Sequence, residues 1–142
     1  MKNLTNGKTS GILIQGEPIA LKRPRFTMHG HAYDSQKFEK KAVQMLIKQQ
    51  IDSFYAIEPL VITIEFYLKR PKSHYGTGKN SDSIKRSAPE YHVCKPDIDN
   101  LAKFYLDCMT GIVFHDDSQI VELNLKKQYA ENPHVWINIT SI

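Results

Sequence analysis

Hydrophobic and polar positions alternate most cleanly over residues 60–69, where Ile62, Ile64, Phe66 and Leu68 interleave with Thr63, Glu65 and Tyr67. Successive side chains of a strand point to opposite faces, so this period of two predicts a half-buried strand, and its β-branched and aromatic content agrees. The period returns over residues 119–127, with Val121, Leu123 and Leu125 on one face. It returns again over residues 135–140, with Val135, Ile137 and Ile139 on one face and Trp136 on the other. Ile12, Leu13 and Ile14, followed by Gly16 and Pro18, predict a short first strand closed by a turn. Over residues 34–50 the spacing changes: Phe38, Ala42, Val43, Leu46 and Ile47 form one helical stripe, with Lys37, Lys40, Lys41 and Lys48 elsewhere on the surface. A second helix is predicted to be capped by Asp99 and to run to about Met109, burying Leu101, Phe104, Tyr105 and Cys108 and ending at Thr110 and Gly111.

The predicted order is β-α-β-loop-α-β-β, and a mixed sheet covered by two helices satisfies it, an α/β arrangement of the α+β kind. The chain of 142 residues reads as one domain, 1–142, without internal repeats, and a chain of that length buries roughly 68–70% of its unfolded surface. The loop in that order, at about 70–94, has no periodicity and is rich in Pro, Gly, Ser and Asn. Loops this long inside a domain are usually functional or disordered. It carries Arg70, Lys72, Lys79, Lys85 and Arg86, with Lys95 just beyond, interspersed with His74, Tyr75, Tyr91 and His92. That mixture suits gripping a sugar-phosphate backbone and stacking on exposed bases, as it also suits a solvated insertion.

Composition sets the remaining bounds. At 41% apolar and 24% charged residues the chain is an ordinary globular one, and no apolar run approaches the roughly 20 residues that span a bilayer. The polar start of the chain has no signal-peptide pattern, so a cytoplasmic protein is expected. Cys94 and Cys108 are the two cysteines, and without Cys-x-x-Cys spacing they predict reduced thiols, not a disulfide framework or a structural zinc site.

Net charge is +4, but it is unevenly spread. Asp97, Asp99, Asp107, Asp116 and Asp117 lie in one stretch against the single base Lys103; setting these aside leaves 18 basic and 10 acidic residues, a balance of +8. A basic body around an acidic pocket suits a protein that holds a polyanion and a divalent cation together, because Lys and Arg bind phosphate while magnesium takes carboxylate oxygen.

The candidate chemistry lies in Lys95-Pro96-Asp97-Ile98-Asp99-Asn100-Leu101-Ala102-Lys103 and in His115-Asp116-Asp117. On an extended backbone Asp97 and Asp99 point the same way, before a helix N-terminus, and can reach one cation. Lys103, four residues beyond Asp99, sits one turn along the same helical face. Asp116 or Asp117 can complete the shell when the chain returns to the sheet. Phosphodiester hydrolysis needs such a set: a metal to lower the pKa of water, carboxylates to hold it, and a lysine to offset the charge that builds on the phosphate. Oxygen ligands without Cys or dense His favour Mg2+, with Mn2+ as the alternative, over zinc. Each residue alone also has an ordinary structural use, Asp99 as a cap, Asp116 and Asp117 in a turn and Lys103 on a solvated face; the joint spacing is what points to chemistry.

The run KPDIDNLAKFYLD followed by GIVFHDDSQIVELNLKK closely resembles the RusA family of Holliday junction resolvases, whose members carry Lys/Arg-Pro-Asp-x-Asp-Asn-Leu-x-Lys and a later Asp-Asp-x-Gln. Gly16-Glu17-Pro18, Arg23-Pro24-Arg25 and Tyr33 look like the front of members from phages and prophages. The resemblance implies a homodimeric α/β endonuclease of DNA recombination and repair that binds four-way junctions and makes paired symmetric nicks with 5′-phosphate ends. It implies metal binding by Asp97, Asp99 and Asp117, a need for Lys103 in cleavage, and a less defined part for Asp116. Arg23, Arg25, Arg70, Lys72, Lys79, Lys85, Arg86 and Lys95 are the expected DNA-binding residues. The loop at 70–94 exceeds that of the shortest members, which leaves the details of DNA binding open.

Two other classes compete. A branched-DNA-binding module that does not cut would use the same basic residues, but five acids in its least basic stretch would repel phosphate unless a cation lay between. A metal-dependent nucleotide hydrolase would not need the basic loop. Gly76-Thr77-Gly78-Lys79-Asn80 lacks the Gly and the Ser or Thr of a phosphate loop, so no nucleotide cofactor is expected, and Leu101 and Ala102 break an EF-hand starting at Asp97. The pairs His29/His31 and His92/Cys94 are expected at the surface, and Trp136 packed or at an interface.

Overall fold

The computed structural model describes residues 7–142; the first six residues of the polar N-terminal stretch lie outside the described residues. Four strands form a mixed sheet: β1 (Thr9–Gln15), β4 (Leu60–Lys69), β5 (Ile120–Ala130) and β6 (His134–Ser141), in the order β1-β6-β4-β5. β6 runs antiparallel to both β1 and β4, while β4 and β5 are parallel. Parallel neighbours need a long crossover, and here it holds the loop and the second helix.

β4 is central, and its alternation produces the core. Leu60, Ile62, Ile64, Phe66 and Leu68 are buried on one face and join Ile12 and Ile14 of β1 and Val135, Ile137 and Ile139 of β6. Two helices supply the other layer, α1 (Lys37–Gln50) and α2 (Ile98–Met109). α2 buries Leu101, Ala102, Phe104, Tyr105, Cys108 and Met109, close to the expected set. The architecture is the expected mixed sheet with two helices.

Several local expectations change. α1 starts at Lys37 with Gln36 at its cap, and buries Val43 and Ile47, leaving Phe38, Ala42 and Leu46 of the expected stripe in solvent, Phe38 at 83% exposure. The helix meets the sheet along a narrower row than its composition suggests. Asp99 does not cap α2: Asp97 takes the cap position and Asp99 lies in the first turn. A two-stranded ribbon, β2 (Arg25–Phe26) with β3 (Ala32–Tyr33), was not legible and turns the order into β-β-β-α-β-α-β-β. The loop after β4 holds two single 3₁₀ turns, Lys72–His74 and Gly78–Asn80.

Three glutamine amides fasten the layers. Gln50 at the end of α1 accepts from the Leu13 N–H at 2.8 Å and donates to the Leu13 carbonyl at 2.7 Å, occupying the open edge of β1 that would otherwise present unpaired backbone groups. Buried Gln36 accepts from the Lys22 N–H and donates to the Ala20 carbonyl, both at 2.8 Å. Gln119 donates to the carbonyls of Tyr55 and Glu58, each at 3.1 Å.

Candidate active site

Asp97 has extended backbone (φ −72°, ψ 144°) at the N-cap of α2, and its side chain makes no cap hydrogen bond. Its carbonyl accepts the first helical bond, from the Leu101 N–H at 3.1 Å. Asp99 sits in the first turn, where the helix dipole favours a carboxylate. The two acids therefore do not stand on one extended strand as expected; Asp97 is the cap and Asp99 lies in the first turn. They nevertheless line one open cleft of about 810 Å³, together with residues of the preceding loop and with Leu125, Lys126 and Lys127 of β5.

The cleft's back wall is tied down by Lys127. Its Nζ donates to the carbonyls of Cys94 and Pro96, each at 2.8 Å, spanning the two residues that lead into Asp97. Lys95 lies 3.4 Å from Asp97, but with its side chain 88% exposed this pair contributes little. Next to the backbone anchor, the His92 Nε2 lies 3.5 Å from the Cys94 Sγ, which lies 3.6 Å from the Tyr129 hydroxyl. His92 is buried, its Nδ1 has no partner, and burial first, then Lys127, hold its pKa below the ordinary histidine value. The expectation of a surface His92 is thereby corrected, because Tyr129 covers the ring with centroids 5.0 Å apart.

Lys103 lies one turn after Asp99, and the two border a second groove with Asn100, Lys22, Arg23 and Pro24. That groove brings the front of the chain to α2, and backbone bonds fix it there: Leu21 N–H to the Asn100 carbonyl at 2.9 Å and Ile19 N–H to the Tyr105 hydroxyl at 2.9 Å. Burial pushes that hydroxyl up to about 12, so it stays a neutral hydrogen-bonding group.

Asp116 and Asp117 divide by role. Asp116 caps the 3₁₀ turn Asp117–Gln119: its carboxylate accepts from the Ser118 N–H at 3.1 Å, while its own N–H donates to the Gln119 Oε1 at 3.0 Å. The Ser118 bonds hold its pKa below the usual carboxylate value. Asp117 is exposed and, among the described residues, makes no side-chain hydrogen bond, as is also true of Asp99. Among the described residues no three His, Cys, Asp or Glu side chains stand close enough to hold one ion together. Asp97 and Asp99 share a cleft; Asp116 and Asp117 do not line it. The donor set still fits magnesium, which commonly takes one or two carboxylates and fills the remaining positions with water and substrate phosphate.

Of the expected DNA-binding residues, Arg23, Arg25, Lys72, Lys79, Lys85, Arg86 and Lys95 are exposed. Arg70 is engaged within its loop and against β5: its guanidinium donates to the Pro89 carbonyl at 2.6 Å, lies 3.4 Å from the His74 Nδ1 and stacks 5.1 Å from the ring centre of Tyr129 on β5. Gln119, Lys127 and Gln36 carry structural duties around the site that spacing alone does not reveal. For Gln119 a signal existed, its place in the Asp-Asp-x-Gln run.

An open cleft at a helix N-terminus brings two carboxylates, Asp97 and Asp99, beside Lys95, Lys126 and Lys127 in a basic α+β domain, a mixture suited to a phosphate and a divalent cation together. The chain belongs to the endodeoxyribonuclease RusA family, whose profile matches residues 15–140. Membership implies endonuclease activity of the kind that resolves Holliday junctions. The chain is also similar to the uncharacterized protein YqaN of Bacillus subtilis (strain 168), at 28% identity over 134 residues, covering 91% of this chain and 94% of that one. Among the described residues no helix is long and apolar enough to cross a membrane.

Proposed function

We propose that the chain, one endonuclease domain over residues 1–142, resolves four-way DNA junctions by magnesium-dependent phosphodiester hydrolysis, as a homodimer that makes paired symmetric nicks. The observation that supports this best is the convergence of Asp97 and Asp99 on one cleft, with Lys103 a helical turn beyond. Asp97 and Asp99 would hold the ion, with Asp117 joining from the turn that Asp116 caps. Bound there, magnesium (or manganese) supplies activation of the attacking water and offsets charge on the scissile phosphate. Lys103 neutralises negative charge on the phosphate and its leaving oxygen, and the N–H groups opening α2 orient the same anion. Exposed Arg23, Arg25, Lys72, Lys79, Lys85, Arg86 and Lys95 hold the flanking backbone. A four-way junction presents two strands for symmetric cutting, which a two-fold dimer matches.

That no three possible ligands stand together among the described residues favours a second reading, a branched-DNA-binding module without cleavage. A labelled four-way junction and a linear duplex, with and without magnesium, separate the two. Wild type should nick only the junction, in symmetric pairs and only with metal, while Asp97→Asn and Asp99→Asn bind it but lose cleavage by about 10²-fold or more, the usual weight of such electrostatic groups. Wild type that binds junctions and never cuts them would make the acids structural and establish the binding module.

A further inference from the structure

The β2–β3 ribbon has no role in the core, since every residue from 22 to 35 is exposed. Its tip carries Phe26 at 69% and Met28 at 96% exposure. Two-stranded ribbons are marginal on their own in water, yet this one is built with care. The Gly30 N–H closes a turn on the Thr27 carbonyl at 3.0 Å, with Gly30 in the left-handed region (φ +82°), and the Thr27 hydroxyl accepts from the His31 N–H at 3.1 Å.

The ribbon's root is fixed to the catalytic helix. Leu21 bonds Asn100, the neighbour of Asp99, and Lys22 bonds Gln36. At the returning end Asp34 pairs with Lys40 at 2.8 Å, and Lys40 reaches Asp107 of α2 at 3.6 Å. The ribbon is thus an apolar tip on a rigid mount, beside the groove of Asp99 and Lys103.

Charge selects the occupant. Arg25, His29 and His31 lie along the ribbon and Lys22 and Arg23 at its root; of the acids nearby, Asp34 and Asp107 share Lys40, and Asp99 lies in the groove at the root. Such a surface attracts a polyanion, and two copies of the same basic ribbon face to face would repel each other. Apolar side chains flanked by arginine are the means by which proteins wedge between base steps. Unstacking costs least where stacking is already interrupted, as at a branch point.

We infer that the β2–β3 ribbon is a wedge: Phe26 and Met28 enter the branch point and stack on a base there, while Arg23 and Arg25 hold the flanking phosphates. This rests on the junction-cutting reading and adds how the junction is distinguished from duplex.

The test uses a four-way junction with 2-aminopurine at the branch point, bound in EDTA so that nothing is cut. Wild type should raise the fluorescence. The Phe26→Ala/Met28→Ala variant, whose substitutions are at exposed positions and should leave the melting temperature unchanged, should give no rise and bind the junction about tenfold more weakly, the loss expected for one stacked base. Its binding to linear duplex should match wild type. Equal fluorescence in both proteins overturns the wedge. So does unchanged fluorescence with a shift from dimer to monomer in sedimentation, which gives the tip to a second copy. Magnesium cleavage of the same junction by wild type tests the parent reading separately: wild type that brightens the probe but never cuts removes the nuclease reading and supports the wedge, whereas equal cutting by both proteins removes the wedge alone.

Discussion

Lys127 has the most demanding position of any single residue near the cleft. One ammonium serves two carbonyls on either side of Lys95, and the segment it holds delivers Asp97 to the end of α2. A hydrogen bond from a charged donor contributes about 1.5–3 kcal/mol. Lys127→Met keeps the stem and deletes both bonds, so Asp97 should wander, and Mn2+ affinity measured by calorimetry without DNA should fall by about tenfold or more. Junction affinity in EDTA should hold, and Lys127→Arg should restore much of the loss. A variant with normal metal affinity would reduce Lys127 to a loop tether. His92, packed beside it, gives a pH signature. Its pKa is depressed in the fold, so as pH falls through the ordinary value of 6.5 the unfolded chain takes up a proton first and the folded state loses stability. Melting temperature should therefore drop between about pH 7.5 and pH 5, and the drop should be shallower in His92→Gln. The thiols separate equally simply: burial pushes Cys108 up to about 12, so only exposed Cys94 should react with a thiol reagent in the native protein.

Elements here depend on side chains that reach across to another element's backbone. Gln36 is the clearest case: from the cap of α1 it holds the strap at residues 20–22, which in turn bonds α2 and carries the ribbon. Gln36→Ala leaves the Lys22 N–H and the Ala20 carbonyl without their side-chain partner and should cost about 1–2 kcal/mol in urea unfolding, with a larger proportional loss of junction binding than of duplex binding. Such a residue is invisible to periodicity, which reports shared faces and says nothing of cross-element hydrogen bonds. That is why β4, with its strict alternation from Leu60 to Leu68, was legible to the residue, whereas the β2–β3 ribbon, with no buried face to impose a period, was missed. The stripe of α1 differs for a related reason: spacing places Phe38 and Ala42 among apolar neighbours, but the elements packed against the helix, α2 and β1, decide which row is covered, and only Val43 and Ile47 are buried. At the site, the Asp and Lys spacing located α2 and its acids, while the division between Asp116 as a cap and Asp117 as a free carboxylate needed coordinates.

At the scale of the whole molecule, the carboxylates of the site and the bases of the loop after β4 lie apart, although Lys95, Lys126 and Lys127 share the cleft with Asp97 and Asp99. The cleft at α2 carries the carboxylates, and the exposed loop after β4 presents Lys79, Lys85 and Arg86 with no ion pair among the described residues. That division predicts that affinity and chemistry can be altered independently. Each lysine or arginine that neutralises a phosphate releases condensed counterions, so log affinity falls against log salt by about 0.9 per contact. Replacing Lys79, Lys85 and Arg86 with alanine should lower that slope by up to about 3, weakening binding in low salt far more than in high salt and alike for any sequence. Because none of the three lines the cleft of Asp97 and Asp99, the cleavage rate of fully bound junction should stay that of wild type. Anisotropy titrations across a salt series, paired with single-turnover cleavage at saturating protein, measure both quantities. An unchanged slope would mean that the loop does not lie on DNA and would move the electrostatic footprint to Arg23 and Arg25 on the ribbon side. A lowered slope with a lowered saturated rate would mean that the loop also orients the scissile strand over Asp97 and Asp99.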